Sequence, residues 1–524
     1  MNQVLRLSTL FIALFASSFM QAQNNTIKVK IKGLKNQPVY LANYYGEKLF
    51  YNDTSMTDAN GVVTFKGKPF NECGKYAVVA PGPKFFDILV TEEDIDLETD
   101  TLDLAGHLKV NKSAENVEFL GYYRFISKQR MLREPHDKVM ADSSATEKQK
   151  EAARKEIDRL NNEVIAYQQD LFTRQPNMLF TKYLKMTIEP EIPAAPADVA
   201  DEQTWKYYYY RQHYWDNVDL KDPRLVRDQM FHRLLDKYYT KVLPQIPDTL
   251  LKESYKLVDG MQNYDMFKYA VHYITYAAES SKIMCMDKVF VGMVEKYYRN
   301  GKVDWLKEDQ MKKILDRAEE LRYTVCGEPV PNIILPDTTL TNWKALYDID
   351  AKYTIIAIWE ADCGHCKKEM PKLLDLYHEW KPKGLEVYAI GNDFETEPWI
   401  KFVKEKKLDW INVSDNPAIN KADSAAKLIY GGVTTLPSLN FRTTFDVFST
   451  PKIFLLDADK RIIAKQLGAE QIEELLRNLE GEKPADKKEE KATEQEPAKE
   501  EKKASNAEKK SKKTAATAPP KGKS

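Results

Sequence analysis

The stretch Ile355-Ile-Ala-Ile-Trp-Glu-Ala-Asp-Cys-Gly-His-Cys-Lys-Lys-Glu-Met-Pro371 sets the tightest limit on what this chain can become. An apolar, β-prone run from Thr354 to Trp359 passes through a short turn to Cys363, where a helix-like pattern begins. Two thiols at C-x-x-C spacing therefore stand where a buried strand hands over to a helix. A thiol at a helix N-terminus faces unpaired backbone N–H groups and the positive end of the macrodipole, both of which favour thiolate over thiol. Cys363 is the expected nucleophile. Cys366, one turn further along the same face, is placed to attack a mixed disulfide on Cys363 and release the partner.

Other uses of such a pair call for residues this chain lacks. Half a zinc site needs a second ligand pair, yet Cys73, Cys285 and Cys326 stand singly, so no metal site is expected. Haem attachment needs His directly after the second Cys, and Lys367 stands there. A structural disulfide would not require the strand–turn–helix setting. A peroxiredoxin would want Thr or Ser three residues before its reactive Cys, where this chain has Glu360. Dithiol–disulfide exchange without a cofactor is the reading these residues favour.

The run Trp359-x-x-x-Cys363-x-x-Cys366-Lys-Lys-Glu369-x-Pro371 resembles the TlpA/ResA-like branch of the thioredoxin superfamily. So do the lead-in Gly327-Glu-Pro-Val-Pro-Asn-Ile-Ile-Leu335 and the downstream segment Phe445-Asp-Val-Phe-Ser-Thr450-Pro451-Lys-Ile-Phe-Leu-Leu-Asp457. The three motifs fall in family order over about 150 residues, under a third of the chain. The resemblance implies catalytic roles for Cys363, Cys366 and Glu369, the last tuning the thiols. It implies support from Trp359, Gly364, His365, Thr450 and Pro451. Pro451 would be a cis-proline beside the dithiol, and Thr450 would offer its backbone to the substrate cysteine's chain. By its own spacing, Glu369 reads as a solvated helix carboxylate, and Thr-Pro as a turn into a strand. Pro371 should kink the first helix in its opening turns.

Two departures from the superfamily stand out. Thioredoxin carries a buried Asp six residues before its first Cys, where this chain has Ala357, so proton handling is expected to fall to Glu369 or water. Between the cysteines stands Gly364-His365, the pair found in protein disulfide isomerase, and a His there should favour the reduced state and raise the potential.

The 524 residues suffice for three domains, and 78 Lys+Arg against 79 Asp+Glu argue for neither nucleic acid nor an anionic membrane as partner. Five cysteines in that length do not suggest a disulfide-stapled scaffold. Residues 1–22 read as a cleavable signal peptide, with Arg6 before a short apolar core that cannot span a membrane permanently. No Cys follows that core, which argues against a lipid anchor. With the bacterial resemblance, export points to the periplasm.

Residues 24–110 show short alternating runs such as Thr26-Ile-Lys-Val-Lys-Ile-Lys and predict a β-sandwich in which Cys73 is a quiet loop thiol. Residues 111–325 predict an all-α helical domain, with amphipathic spans at Glu147–Phe172, Leu225–Val242, Leu250–Met261, Met266–Ala278, Val289–Tyr298 and Lys307–Leu321. Its aromatic run Trp205–Trp215 is expected to pack between helices rather than bind a ligand. His213 and His232 lack metal-ligand spacing. Residues 327–481 predict an α/β thioredoxin-like fold, in which Asp423–Thr444 reads as an extended loop beside the cis-proline. Residues 482–524, rich in Lys, Glu, Ala and Pro without an apolar face, are expected to be disordered.

The expected protein is a periplasmic thiol–disulfide oxidoreductase. Its substrates would be protein disulfides, its reductant a membrane electron donor, and the helical domain could serve a homodimer. A disulfide oxidase or isomerase is the near alternative. A binding or scaffold protein with a vestigial dithiol is the distant one.

Overall fold

The computed structural model describes residues 25–82, 84–415 and 419–482. The expected signal peptide and all but the first residue of the expected tail lie outside them. Of the described residues, those up to Glu470 belong to one compact unit and those from Gln471 to Glu482 to a second.

Two four-stranded sheets open the chain. Strands β1 (Thr26–Lys32), β4 (Val62–Lys66), β7 (Ile95–Asp100) and β8 (Lys109–Lys112) make one sheet in the order β4-β1-β7-β8. Strands β2 (Pro38–Tyr45), β3 (Lys48–Met56), β5 (Gly74–Ala80) and β6 (Lys84–Val90) make the other, in the order β3-β2-β5-β6. Period-two alternation explains the packing. In β1, Ile27, Val29 and Ile31 point into a core shared with Val78 and Ile88 of the second sheet. The intervening lysines face the acidic residues of β7, which runs parallel beside it: Lys28 meets Asp96 at 3.0 Å and Lys32 meets Glu98 at 2.6 Å. Cys73 is buried before β5, and burial pushes its thiol up to about 11, consistent with a quiet role.

The helical region begins with two long helices, α1 (Ala114–Ala141) and α2 (Glu147–Arg174), the second opened by a capping box between Thr146 and Gln149. Apolar periodicity does not reveal α1, because Leu120 is its one buried apolar side chain. The expected span Leu225–Val242 is divided. Asp222 caps a 3₁₀ turn, Pro223–Arg227, and Asp228 caps a separate helix, Gln229–Lys237. Each Asp side chain accepts a backbone N–H two residues on, which ends one turn and starts the next. Phe231, Leu235, Met266, Ala270, Phe290 and Tyr297 fill the core. In the aromatic run, Tyr214 is buried and Trp215 packs partly against that core, whereas Tyr208 is 58% exposed.

The helical region meets the following domain at a covalent junction. Cys285 and Cys326 do not stand singly: they form a disulfide with Cα atoms 5.5 Å apart. No local spacing marks a pair separated by 41 residues, and only the fold brings them together. Beside it, Lys465 pairs with Asp287 and donates to the Thr324 carbonyl at 2.6 Å.

The last domain opens with a small hairpin of β9 (Ile334–Pro336) and β10 (Trp343–Ala345), followed by β11 (Tyr353–Trp359), β12 (Leu385–Gly391), β13 (Ile411–Ser414), β14 (Lys452–Leu456) and β15 (Ile462–Lys465). The last five make one sheet in the order β13-β12-β11-β14-β15. Central β11 is buried throughout; it pairs parallel with β12 and antiparallel with β14. Helices Gly364–Trp380 and Thr396–Lys406 make the crossovers from β11 to β12 and from β12 to β13. The first of them continues through Pro371 as one element.

Residues Asp423–Thr444 are not the extended loop the sequence suggests. They hold most of a helix, Ala422–Tyr430, and two short ones, Leu436–Leu439 and Phe441–Thr444. The Thr435 hydroxyl caps Leu436–Leu439, and Phe441 and Leu439 join the sheet's apolar core. The local pattern is too short and too interrupted by Gly431-Gly432 and Pro437 to display helical periodicity. The final described helix is Ala469–Leu479.

Candidate active site

Strand β11 ends at Trp359, whose ring is fully buried and packs on Phe402 at 5.0 Å. Trp359 therefore braces the turn from beneath and does not face solvent. The chain turns through Glu360–Asp362, and the Cys363 N–H donates to the Glu360 carbonyl at 3.3 Å. Cys363 is the N-cap residue of the active-site helix Gly364–Trp380, and its sulfur accepts the Cys366 N–H at 3.4 Å. Gly364 opens the helix beside open space. His365 is exposed, and Cys366, one turn in, is fully buried.

The second wall comes from far along the chain. The Thr450–Pro451 peptide bond is cis, and the Cys363 thiol donates to the Thr450 carbonyl at 3.2 Å. Strand β14 starts at the next residue and pairs with β11, so the strand register carries this loop to the dithiol.

The two thiols differ electrostatically. Burial opposes ionisation of Cys363, but hydrogen bonding from the Cys366 thiol, the Thr450 side chain and the Cys366 and His365 N–H groups outweighs it. The balance holds Cys363 below the ordinary thiol range. Burial pushes Cys366 up to about 12, against a partial offset from the Glu360 backbone. Both are free thiols.

Glu369 lines the same groove as His365, Thr450 and Pro451, and its carboxylate accepts the Ala469 N–H at 2.5 Å. Its bonded partner is thus backbone rather than a cysteine. The carboxyl group placed against the catalytic turn is Asp393, which sequence reasoning missed. It accepts the Ala361 N–H at 3.0 Å, and burial, helped by the Glu360 and Asp362 charges, raises its pKa above the usual carboxylate range. Beside it, the Asn392 amide donates to the Glu360 carboxylate at 2.5 Å. The available signal was positional: Asn392-Asp393 follow the carboxyl end of β12, the edge where open α/β sheets place ligands.

Arg317 was also missed. It lies on a helical-region segment, Glu308–Leu321, yet lines the groove beside the cis-proline, with its guanidinium 2.8 Å from the Asp446 carboxylate and over the Phe448 ring at 5.8 Å. Lys452 reaches Asp446 from the other side. Among the described residues no group of three or more His, Cys, Asp or Glu could hold a metal ion.

Residues 326–465 match the model of the AhpC/TSA family, and residues 143–322 match that of a domain of unknown function, DUF5106. A thiol-disulfide oxidoreductase ResA of Bacillus cereus is 30% identical over 150 residues, 28% of this chain and 73% of that protein. The ResA of Bacillus thuringiensis subsp. konkukian is 30% identical over 157 residues, 29% of this chain and 78% of the relative. A thioredoxin-like protein from Bacteroides caccae, known from its crystal structure, is 21% identical, with 55% of this chain and 98% of that one covered at a TM-score of 0.38.

A thioredoxin-like α/β domain with a thiol capping the helix after its central strand is the build of a thiol–disulfide oxidoreductase, and the chain is an enzyme of that class. It belongs to the ResA family of thiol–disulfide oxidoreductases, and its similarity to that family lies in its thioredoxin-like domain.

Proposed function

We propose that the protein is exported to the periplasm and there reduces disulfides of client proteins through Cys363 and Cys366. The observation that carries this reading is the asymmetry of the pair. Cys363 is partly exposed and stabilised as thiolate, whereas Cys366 is buried and held as thiol. Such a pair works in order. The Cys363 thiolate attacks one sulfur of the client disulfide, an S–S bond forms between Cys363 and that sulfur, and the client's other sulfur leaves as thiolate. Cys366 loses its proton and attacks the Cys363 sulfur, releasing the first client sulfur. The client gains two electrons and the protein is left as the Cys363–Cys366 disulfide, which a dithiol donor at the membrane must reduce. Thr450 and Pro451 border the site, and we assign the Thr450 backbone the pairing with the client chain. His365 would tune the potential. Glu369, held by backbone, would shape the groove.

Export has independent support. The Cys285–Cys326 disulfide suits an oxidising compartment, and the resemblance of residues 1–22 to a signal peptide agrees with it. No helix among the described residues is long and apolar enough to cross a membrane. We also propose that the domains divide near residues 110 and 326.

The test is the reduction potential of the Cys363/Cys366 pair, read by thiol trapping across defined redox buffers. A value near about −270 mV fits a reductase, and one at about −180 to −120 mV would move the protein to isomerase or oxidase chemistry. A pair that never titrates as a two-electron couple would sink the reading.

A further inference from the structure

The groove beside the dithiol has a volume of about 780 Å³, and one of its walls is a single face of the active-site helix. His365, Lys368, Glu369 and Lys372 stand at helical steps of three and four, and all four line it. The opposite wall carries Phe448 and the cis-proline, with Arg317 reaching in from the helical region. Four cationic side chains line the groove against two carboxylates.

Those carboxylates are already engaged. Asp446 is nearly buried between Arg317 and Lys452, and Glu369 holds the Ala469 N–H. Both lysines are exposed. Lys368 has no ion-pair partner among the described residues, and Lys372 pairs with the exposed Glu470 at 2.7 Å and also feels the Glu369 charge. Phe448, 82% exposed beneath the Arg317 guanidinium, adds an aromatic surface to the groove. Across the catalytic turn the charge is reversed, with Glu360, Asp362 and Asp393 together. The surroundings of Cys363 are therefore polar in the electrical sense, basic on the side of the groove and acidic on the other.

We propose that this groove selects client segments carrying acidic residues on one flank of the target cysteine, which Lys368 and Lys372 bind while Cys363 engages the disulfide. This deepens the client-reduction reading and rests on it. The helical region enters the selection as a wall, because Arg317 fixes the loop that faces the lysines.

The experiment uses the full chain with its dithiol reduced, and single-cysteine peptides capped as mixed disulfides with thionitrobenzoate, whose release is read by absorbance. One peptide has two Glu before the cysteine, one has two Glu after it, one has Ser on both sides, and one has Lys on both sides. In this single turnover, one acidic peptide should exceed the Ser peptide about fivefold in second-order rate constant at low salt, with the Lys peptide slowest. That ratio should fall toward one in about 0.5 M salt and in the Lys368→Glu/Lys372→Glu variant. Lys401→Glu, on the separate helix Thr396–Lys406, should keep it. Equal rates for all peptides, or a Lys peptide that is fastest, would overturn the proposal while leaving client reduction intact. Silence toward all four would instead overturn the client-reduction reading, and this proposal with it.

Discussion

Arg317, on a helix of the helical region, holds the carboxylate of Asp446 at 2.8 Å in the loop that leads to cis Pro451. Asp446 has a positive φ of 51° and a side chain only 9% exposed, and its backbone carbonyl takes the Lys452 ammonium. Removing the guanidinium leaves a nearly buried carboxylate with Lys452 alone. Arg317→Ala should destabilise the protein by about 1–3 kcal/mol in chemical denaturation, because a buried charged acceptor loses a partner. Its kcat/KM toward protein disulfides should also fall, with Arg317→Lys recovering part of both. An unchanged denaturation midpoint would show that the pair does no positioning.

The two thiols should alkylate very differently. The thiolate is the reactive form, and hydrogen bonding outweighs burial to hold Cys363 below the ordinary thiol range. The iodoacetamide rate at Cys363 should thus rise with pH to a midpoint below that of the same protein's Cys363 after unfolding, then level off. Cys366, pushed up to about 12 and buried, should stay unlabelled in the native protein at about pH 8. Mass spectrometry of Cys363→Ser and Cys366→Ser variants reads each site alone. Equal labelling of both would refute the asymmetry on which the reaction order rests. The Cys366→Ser variant should also accumulate mixed disulfides that the native pair resolves.

The junction disulfide closes a loop of 41 residues, for which chain entropy gives about 4 kcal/mol. The Cys285→Ser/Cys326→Ser variant should lose stability of that order, with the loss read in the denaturation of the oxidised protein. Under mild reduction that opens only the active-site pair, reached through the partly exposed Cys363, the unsubstituted protein should on later denaturation take up label at Cys73, Cys363 and Cys366 alone. Label at Cys285 or Cys326 would show that the staple is labile.

Asp393 supplies the pH dependence. Burial, first, and the neighbouring Glu360 and Asp362 charges raise its folded pKa above the unfolded value of about 3.9. The stability linked to its neutral form is complete below that value and is lost as pH rises through the folded pKa. Asn does not titrate and keeps an oxygen for the Ala361 N–H. The Tm advantage of Asp393→Asn over the native protein should therefore be smallest near about pH 4 and grow toward about pH 7. A difference that shrinks over that range would mean the carboxylate is stabilised, not penalised, by its surroundings.

Much of the fold is legible locally. The alternation in Thr26–Lys32, the unbroken apolar run of β11 and the three- and four-residue steps of Glu308–Leu321 each follow from the burial of one face or two. Where local signals fail, a specific interaction has won. Asp228 restarts a helix that apolar spacing would run straight through, and Phe441 and Leu439 fold a Gly- and Pro-broken stretch onto the sheet. The helix Ala114–Ala141 escaped because one helix face with a single buried apolar residue leaves almost no periodic trace.

At the site, what lies within one strand, one turn and one helix can be read from order and spacing alone: the nucleophile position of Cys363 and the resolving position of Cys366. The Thr450–Pro451 segment is read by its likeness to a family. The cysteine positions are consequences of short-range geometry, in which a strand end and a helix start determine which groups face one another. Tertiary structure alone decided that Cys285 meets Cys326, that Asp393 closes on the catalytic turn, and that Arg317 of another region walls the groove. Such contacts join residues 32 to 129 positions apart. A chain carries no local period that records a distant partner, and only the burial of several faces at once brings those side chains within bonding reach.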